Sequence, residues 1–414
     1  MRIQQNARCK QNAFYVDVSQ VADSKTNRKD RSKILIHLKK NIVPLVCFFC
    51  SGFAGLLYEI CWIRKASLAF GSTSLAVSTV VAVFFGGLAL GSYFAGRLSE
   101  KNIRPLKVYA VLELILGGAV FFSPYLFSMG EDLYGALYSD ALGGFYALNF
   151  IRFVITASLI LPPTILMGAS LPLFCRHFIE DEKHMGMSVG LLYSVNTLGA
   201  TAGCILCGFL LIPNIGVNRS IWLGGVINGL VGLTLLCMKI DENPLYENSK
   251  AAPPSSDPDQ VDAFKMRTMS TLFFITGFIA LGSEILWTRY LSLIIYNTVQ
   301  TYTLTISVIL AGIAIGSTFV SMFIDRTKTR AFIFGAVHIL TGISVLMLLL
   351  LPAEFWRGII NTQVVAAPAW IFVALFLFPA ILSGMSVPLA IRMVMDTPSL
   401  SGLTTGRMLA INTL

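Results

Sequence analysis

Along the chain, short polar stretches alternate with long runs in which almost every side chain is apolar. Such runs cover 42–63, 75–98, 108–129, 149–174, 189–212 and 221–238, then 272–295, 303–324, 332–351 and 370–394. A run of about 20 residues forms a helix about 30 Å long, the thickness of a bilayer's hydrocarbon core. The pattern therefore predicts an all-α polytopic membrane protein.

A second pattern lies over the first. SGFAGLLYEICWIR at 51–64 returns as TGFIALGSEILWTR at 276–289, an offset of 225, and 52–64 and 277–289 share seven of thirteen residues. GLALGS at 87–92 returns as GIAIGS at 312–317, and Glu100-Lys101 returns as Asp325-Arg326. With the offset reduced to 216, MGASLPLFCR at 167–176 matches SGMSVPLAIR at 383–392, and Pro163 matches Pro379. GLLYSVNTL at 190–198 aligns with GRMLAINTL at 406–414. The first half continues from there through a fifth and a sixth span; the second half reads as truncated, with about ten full spans and the start of an eleventh overall. The expected organisation is a basic tail (1–41), a first six-helix repeat (42–238), a polar, Pro-rich linker (239–267) and a second, truncated repeat (268–414).

Charge orients these spans. The hydrophobic share is 55% and the charged share only 13%, about half that of a soluble domain. Of 31 Lys and Arg, ten lie in 1–41; the loop after span 2 holds Arg97, Lys101, Arg104 and Lys107, and that after span 8 holds Arg326, Lys328 and Arg330. The loop 130–146 has no base but carries Glu131, Asp132 and Asp140. Basic loops stay cytoplasmic, so the tail and linker are expected inside and 130–146 outside an inner (plasma) membrane. The net charge of +9 thus reflects topology, with the lipid bilayer as partner and no nucleic acid.

Both halves begin on the same side, so the repeats are parallel. Two parallel six-helix halves joined by a cytoplasmic linker are the architecture of the major facilitator superfamily. GRLSEKNIR at 96–104 resembles that superfamily's G-x-L-x-D-R-x-G-R loop, with Glu100 for Asp and Ile103 for Gly. Taken together, SGFAGLLYEICWIR, AVSTVVAVFFGGLALGSYFAGRLSEK (76–101), ILMGASLPL (165–173) and YSVNTLGATAG (193–203) resemble the membrane part of proteins in which such a domain is fused to a spermidine-synthase-like domain. The resemblance implies an aminopropyltransferase-like module beyond Leu414, with its own Gly-rich loop and catalytic acids.

No catalytic motif stands in the chain itself. GGLALG at 86–91 and GGVING at 224–229 lie inside apolar spans and follow no strand, unlike a nucleotide-binding loop. Cys47–Cys50 and Cys204–Cys207 have C-x-x-C spacing but sit in apolar spans without a His or acid beside them. No cofactor and no metal are expected. The leading reading is a membrane domain that handles or delivers a cationic small molecule such as a polyamine. Two others stay open: a stand-alone secondary transporter of the facilitator type, and an anchor or scaffold for a cytosolic aminopropyltransferase-like enzyme.

Candidate chemistry starts from Glu59. A charge at mid-bilayer costs about 2.5–3.5 kcal/mol on insertion scales and ordinarily faces a cavity or a partner. Glu59 recurs as Glu284, Trp62 as Trp287 and Arg64 as Arg289. In the facilitator fold the first and seventh helices line the central cavity, where two carboxylates would suit a di- or polycation and the tryptophans could add cation–π contacts. The plainer reading, favoured on spacing, puts Glu59 near the outer surface in an interfacial ion pair, with Trp62 in the aromatic belt and Arg64 snorkelling. Asn196 and Asn412 are expected to bond between helices, and Gly87/Gly91 and Gly312/Gly316 to set close packing. Pro163, Pro172, Pro379 and Pro388 are expected to bend their spans. Glu113 and His338 stand one apiece in the third and ninth spans, read as unmatched by the repeat.

Overall fold

With no water in hydrocarbon to bond an exposed N–H or C=O, each apolar run closes its backbone bonds within itself. The computed structural model describes residues 42–70, 74–137, 145–179, 181–238, 262–294, 299–352, 354–355, 367–395 and 397–414. The tail 1–41, the linker over 239–261 and Asp140 lie outside them. The chain divides into two units, Met1–Val46 and Cys47–Leu414. Only Ile42–Val46 of the first is described, as the opening of a helix; the fold and the site belong to the second.

The helices of the first half are α1 (Ile42–Phe70), α2 (Ser74–Leu98), α3 (Pro105–Leu137), α4 (Phe145–Gly168), α5 (Ser170–Phe178), α6 (Met185–Leu206), α7 (Ile212–Ile215) and α8 (Val217–Cys237). Those of the second are α9 (Asp262–Ile294), α10 (Val299–Ser321), α11 (Arg330–Leu349), α12 (Ala367–Gly384), α13 (Ser386–Val394) and α14 (Ser401–Thr413). Among the described residues, ten spans are long and apolar enough to cross a membrane, α4 with α5 and α12 with α13 each forming one.

The repeat is written into the contacts. Asn196 Nδ2 of α6 donates to the Phe48 carbonyl of α1 at 3.1 Å, and Asn412 Nδ2 of α14 donates to the Phe273 carbonyl of α9 at 3.0 Å. At the same crossings Gly52 and Gly277 lie directly under the carbonyls of Asn196 and Asn412, so that any Cβ would strike backbone. Gly91 of α2 meets the Ile165 carbonyl of α4 just as Gly316 of α10 meets the Ile381 carbonyl of α12. Small residues let helices approach to backbone contact where lipid supplies no hydrophobic drive. Gly52→Leu and Gly277→Leu should therefore each force their helix pair apart. Overpacking of this kind costs about 1–3 kcal/mol or more, read as a fall in melting temperature by size-exclusion fluorescence, with Gly135→Leu, which meets open space, as the neutral control.

The bends have a chemical cause. Pro172 has no N–H to offer the Gly168 carbonyl four residues earlier; α4 breaks at Ala169, and Ser92 Oγ of α2 takes that carbonyl at 2.8 Å instead. Pro388 stands at the same place after the break at Met385. There Ser317, the repeat of Ser92, donates across the molecule to the Gly190 carbonyl of α6 at 2.9 Å. The halves meet along two equivalent pairs, α2 with α14 and α6 with α10.

One sequence expectation is corrected. The offset of 225 persists through Pro105 and Arg330, which open α3 and α11, so Glu113 and His338, each the ninth residue of its helix, are repeat equivalents. The offset falls to 216 only in the following loop, and unlike residue types at the shared position hid the match.

Candidate functional site

Glu59 lies seventeen residues into α1, about 26 Å along the axis. It is 2% exposed, and its partner is a phenol rather than a base: Tyr302 Oη of α10 donates to Glu59 Oε1 at 3.0 Å. Glu284 of α9 is part-buried and has no hydrogen-bond partner among the described residues. The two carboxylates lie within electrostatic range of each other, and Tyr302 and Cys204 lie in the field of both. The group thus draws on α1 and α6 of the first half and α9 and α10 of the second.

Polar side chains of α6 and α10 adjoin it. Ser307 Oγ of α10 reaches Cys204 Sγ of α6 at 3.4 Å, and Cys204 Sγ contacts the Thr303 carbonyl at 3.5 Å. Thr303 Oγ1 is buried without a hydrogen-bond partner. Beside it, Cys207–Leu211 forms one π-turn between α6 and α7, with Gly208 packed against the Thr303 side chain. Single π-turns inside helices gather at functional sites. Cys61 Sγ and Cys207 Sγ lie 3.6 Å apart in the layer behind.

The other candidates disperse. Trp62 is wholly buried, stacked on Tyr58 at 5.6 Å and edge-on to Phe84, with Nε1 donating to Ser123 Oγ at 3.3 Å. Trp287 packs edge-on to Phe376 at 4.8 Å in a smaller apolar cluster of the second half. Arg64 is part-buried and Arg289 exposed. Asn196 and Asn412 each bond to a neighbouring helix. Of the candidates, Glu59 and Glu284 are the pair within electrostatic range of each other.

Tyr302 was missed in the sequence, although a signal existed. At the offset of 225, Thr301, Tyr302, Thr305 and Ser307 stand where the first half has Ala76, Val77, Val80 and Ala82. Polar residues appear at four positions that are apolar in the first copy, and one of them, Tyr302, bonds the acid of the other half.

At the opposite end of α10, Asp325 joins the halves. Its carboxylate accepts from the Gly186 and Met187 backbone N–H groups at 3.0 and 2.8 Å, the first turn of α6, and from Arg392 Nε of α13 at 2.8 Å. An anion there also meets the positive end of the helix dipole. Arg392 reaches across to the Glu182 carbonyl at 3.4 Å. The first-half equivalent, Glu100, is exposed, and Arg176 instead donates to the Ser99 carbonyl at 3.3 Å.

Ten apolar spans among the described residues, in two parallel repeats tied at one end by the Asp325 carboxylate on the first turn of α6 and bringing a buried and a part-buried acid into each other's field toward the other, define a two-repeat integral membrane protein of transporter type. The chain belongs to the Major Facilitator Superfamily, whose family model matches residues 42–414. Its fold is similar to the crystal structure of the human organic anion transporter MFSD10 (TETRAN), with a TM-score of 0.53, 13% identity and 89% and 91% of the two chains covered. It is also similar to the E. coli fucose:proton symporter FucP, with a TM-score of 0.51, 15% identity and 90% and 88% covered. Two curated relatives are polyamine aminopropyltransferase 2 of Ralstonia nicotianae, 23% identical over 197 residues, and polyamine aminopropyltransferase of Corynebacterium efficiens, 27% identical over 193. These stretches are 47% and 45% of this chain, and the chain spans only about a third of the relatives' lengths, 35% and 33%.

Proposed function

We propose that this chain is the membrane domain of a spermidine-synthase-like protein and that it binds a polyamine for transfer across, or delivery within, the membrane. The observation that carries the reading is that Glu59 and Glu284, from opposite halves, lie in each other's electrostatic field, with Tyr302 rather than a base as the bonded partner of Glu59. A buried and a part-buried carboxylate in each other's field repel, and a cation that pairs with both relieves the repulsion without removing the charges. A flexible diammonium chain supplies one cation to each carboxylate and an apolar methylene linker between them. The names of the curated relatives point to the same class of molecule. The loop-charge pattern supports a cytoplasmic N-terminus in an inner membrane, and an aminopropyltransferase-like domain following the membrane part would be the partner that makes or uses the amine.

In this arrangement Tyr302 aligns Glu59, Glu284 is the more accessible carboxylate, and the Asp325 cluster holds the other end of the halves together. The test is equilibrium binding of radiolabelled spermidine to the full-length protein in lipid nanodiscs. Saturable binding that weakens about ten- to a hundred-fold in Glu59→Gln supports the reading. Its absence, with any attached synthase activity intact, favours the scaffold alternative.

A further inference from the structure

A second buried carboxyl stands apart from the first, within one half. Glu113 of α3 is 2% exposed, and Ser51 Oγ of α1 donates to its Oε1 at 2.6 Å; Oε2 has no protein partner. Three further buried side chains, on α1, α3 and α8, leave hydrogen-bonding capacity unmet. Tyr109, one turn earlier on α3, faces Glu113 and Ser51 but reaches no partner at good geometry. Tyr58 of α1 lies in the field of Glu113, with its ring and hydroxyl against Gly224 of α8. Asn228, one turn further along α8 and packed beside Gly117, has neither amide atom bonded. Tyr58 and Asn228 are fully buried. Buried polar groups without partners are rare enough that each calls for a cause.

We propose that this cluster is a proton-binding site, with the proton arriving from water and settling on Glu113 Oε2. Ser51 already occupies Oε1, so Oε2 is the oxygen left to receive it. The protonated carboxyl is neutral and becomes a donor, with Tyr109 Oη and Tyr58 Oη the hydroxyls that share its field. No lysine, arginine or histidine among the described residues acts on Glu113. The titratable groups that share its field are Cys47 and Tyr58 from α1 and Tyr109 from α3; α8 presents uncharged Asn228, and α5 presents Phe174 against Tyr109.

The repeat supplies a control. At the equivalent position His338 has both ring nitrogens engaged, Nδ1 with the Phe334 carbonyl at 2.7 Å and Nε2 with Ser386 Oγ at 3.3 Å. There Phe334 replaces Tyr109 and Ser283 replaces Tyr58. Among the described residues, the side chains at these equivalent positions leave no buried polar atom without a partner, so packing of α11 does not require an open carboxyl there.

Infrared difference spectra of the purified full chain, recorded as pH is lowered, test the site without any transported substrate. A protonated-carboxyl band present in the wild type and in Glu59→Gln, but lost in Glu113→Gln, is the expected result. Tyr109→Phe should move both the frequency of that band and the pH at which it appears. An unchanged spectrum in Glu113→Gln, or no response to Tyr109→Phe, would overturn the proposal. Loss of the band on adding sodium at constant pH would overturn it as well, by assigning the cluster to a metal cation. Polyamine binding plays no part in the measurement, so either proposal can fail alone.

Discussion

Glu59→Gln is expected to weaken spermidine binding about ten- to a hundred-fold while leaving the protein folded. The magnitude follows from removing one charge-assisted contact, about 1.5–3 kcal/mol, from a ligand held by two. Folding survives because Gln preserves the shape of the side chain and can still accept from Tyr302 Oη, while the cost of a membrane-buried charge disappears. Glu284→Gln should behave alike, since the second ammonium loses its carboxylate. Tyr302→Phe removes only the hydrogen bond that orients Glu59. A neutral donor of this kind is worth about 1 kcal/mol, so that loss should be about five-fold. Binding isotherms of the three variants in the same lipid distinguish this order from a general loss of folded protein.

Asp325→Asn carries the other large effect. The carboxylate takes three donors, two from the first turn of α6 and one from Arg392. The amide keeps one acceptor oxygen and loses the charge. A loss of about 3 kcal/mol from three charge-assisted bonds shifts the closed-to-open ratio at this end about a hundred-fold. Spin labels at the exposed Lys183 and Lys328 should then report a longer, broader distance distribution than in the wild type. Glu100→Gln should change little, because its side chain is exposed. Equal effects of the two substitutions would show that the first-turn contacts of α6 do not hold the halves.

Much of this was legible in the sequence because the governing constraint is blunt. Hydrocarbon demands long helices, and apolar runs announce them. The parallel repeat followed from SGFAGLLYEICWIR and its echo, and the paired glycines and asparagines marked the crossings of α1 with α6 and α9 with α14. The site was legible only in part. A carboxylate in an apolar run is conspicuous, so Glu59 and Glu284 could be picked out. Which neighbours complete the group depends on how α10 packs against α1, which no local pattern encodes. Tyr302 reads as one aromatic among many until it is set beside Val77. Trp62 illustrates the converse: its spacing fits an interfacial belt, yet the aromatic layer of Tyr58 and Phe84 encloses it. The Glu113 cluster depends on α1, α3 and α8 converging, which the sequence does not display.

The most direct test of the central claim, that two carboxylates from opposite halves share one diammonium ligand, is competition binding to the wild-type protein. Radiolabelled spermidine bound in nanodiscs is displaced by putrescine or by butylamine, which has the same four-carbon chain and a single ammonium. With one of two charge-assisted contacts missing, butylamine should compete at least about ten-fold less well than putrescine, and in Glu284→Gln the two should become nearly equal. Equal competition in the wild type, or no saturable spermidine binding at all, would contradict the account.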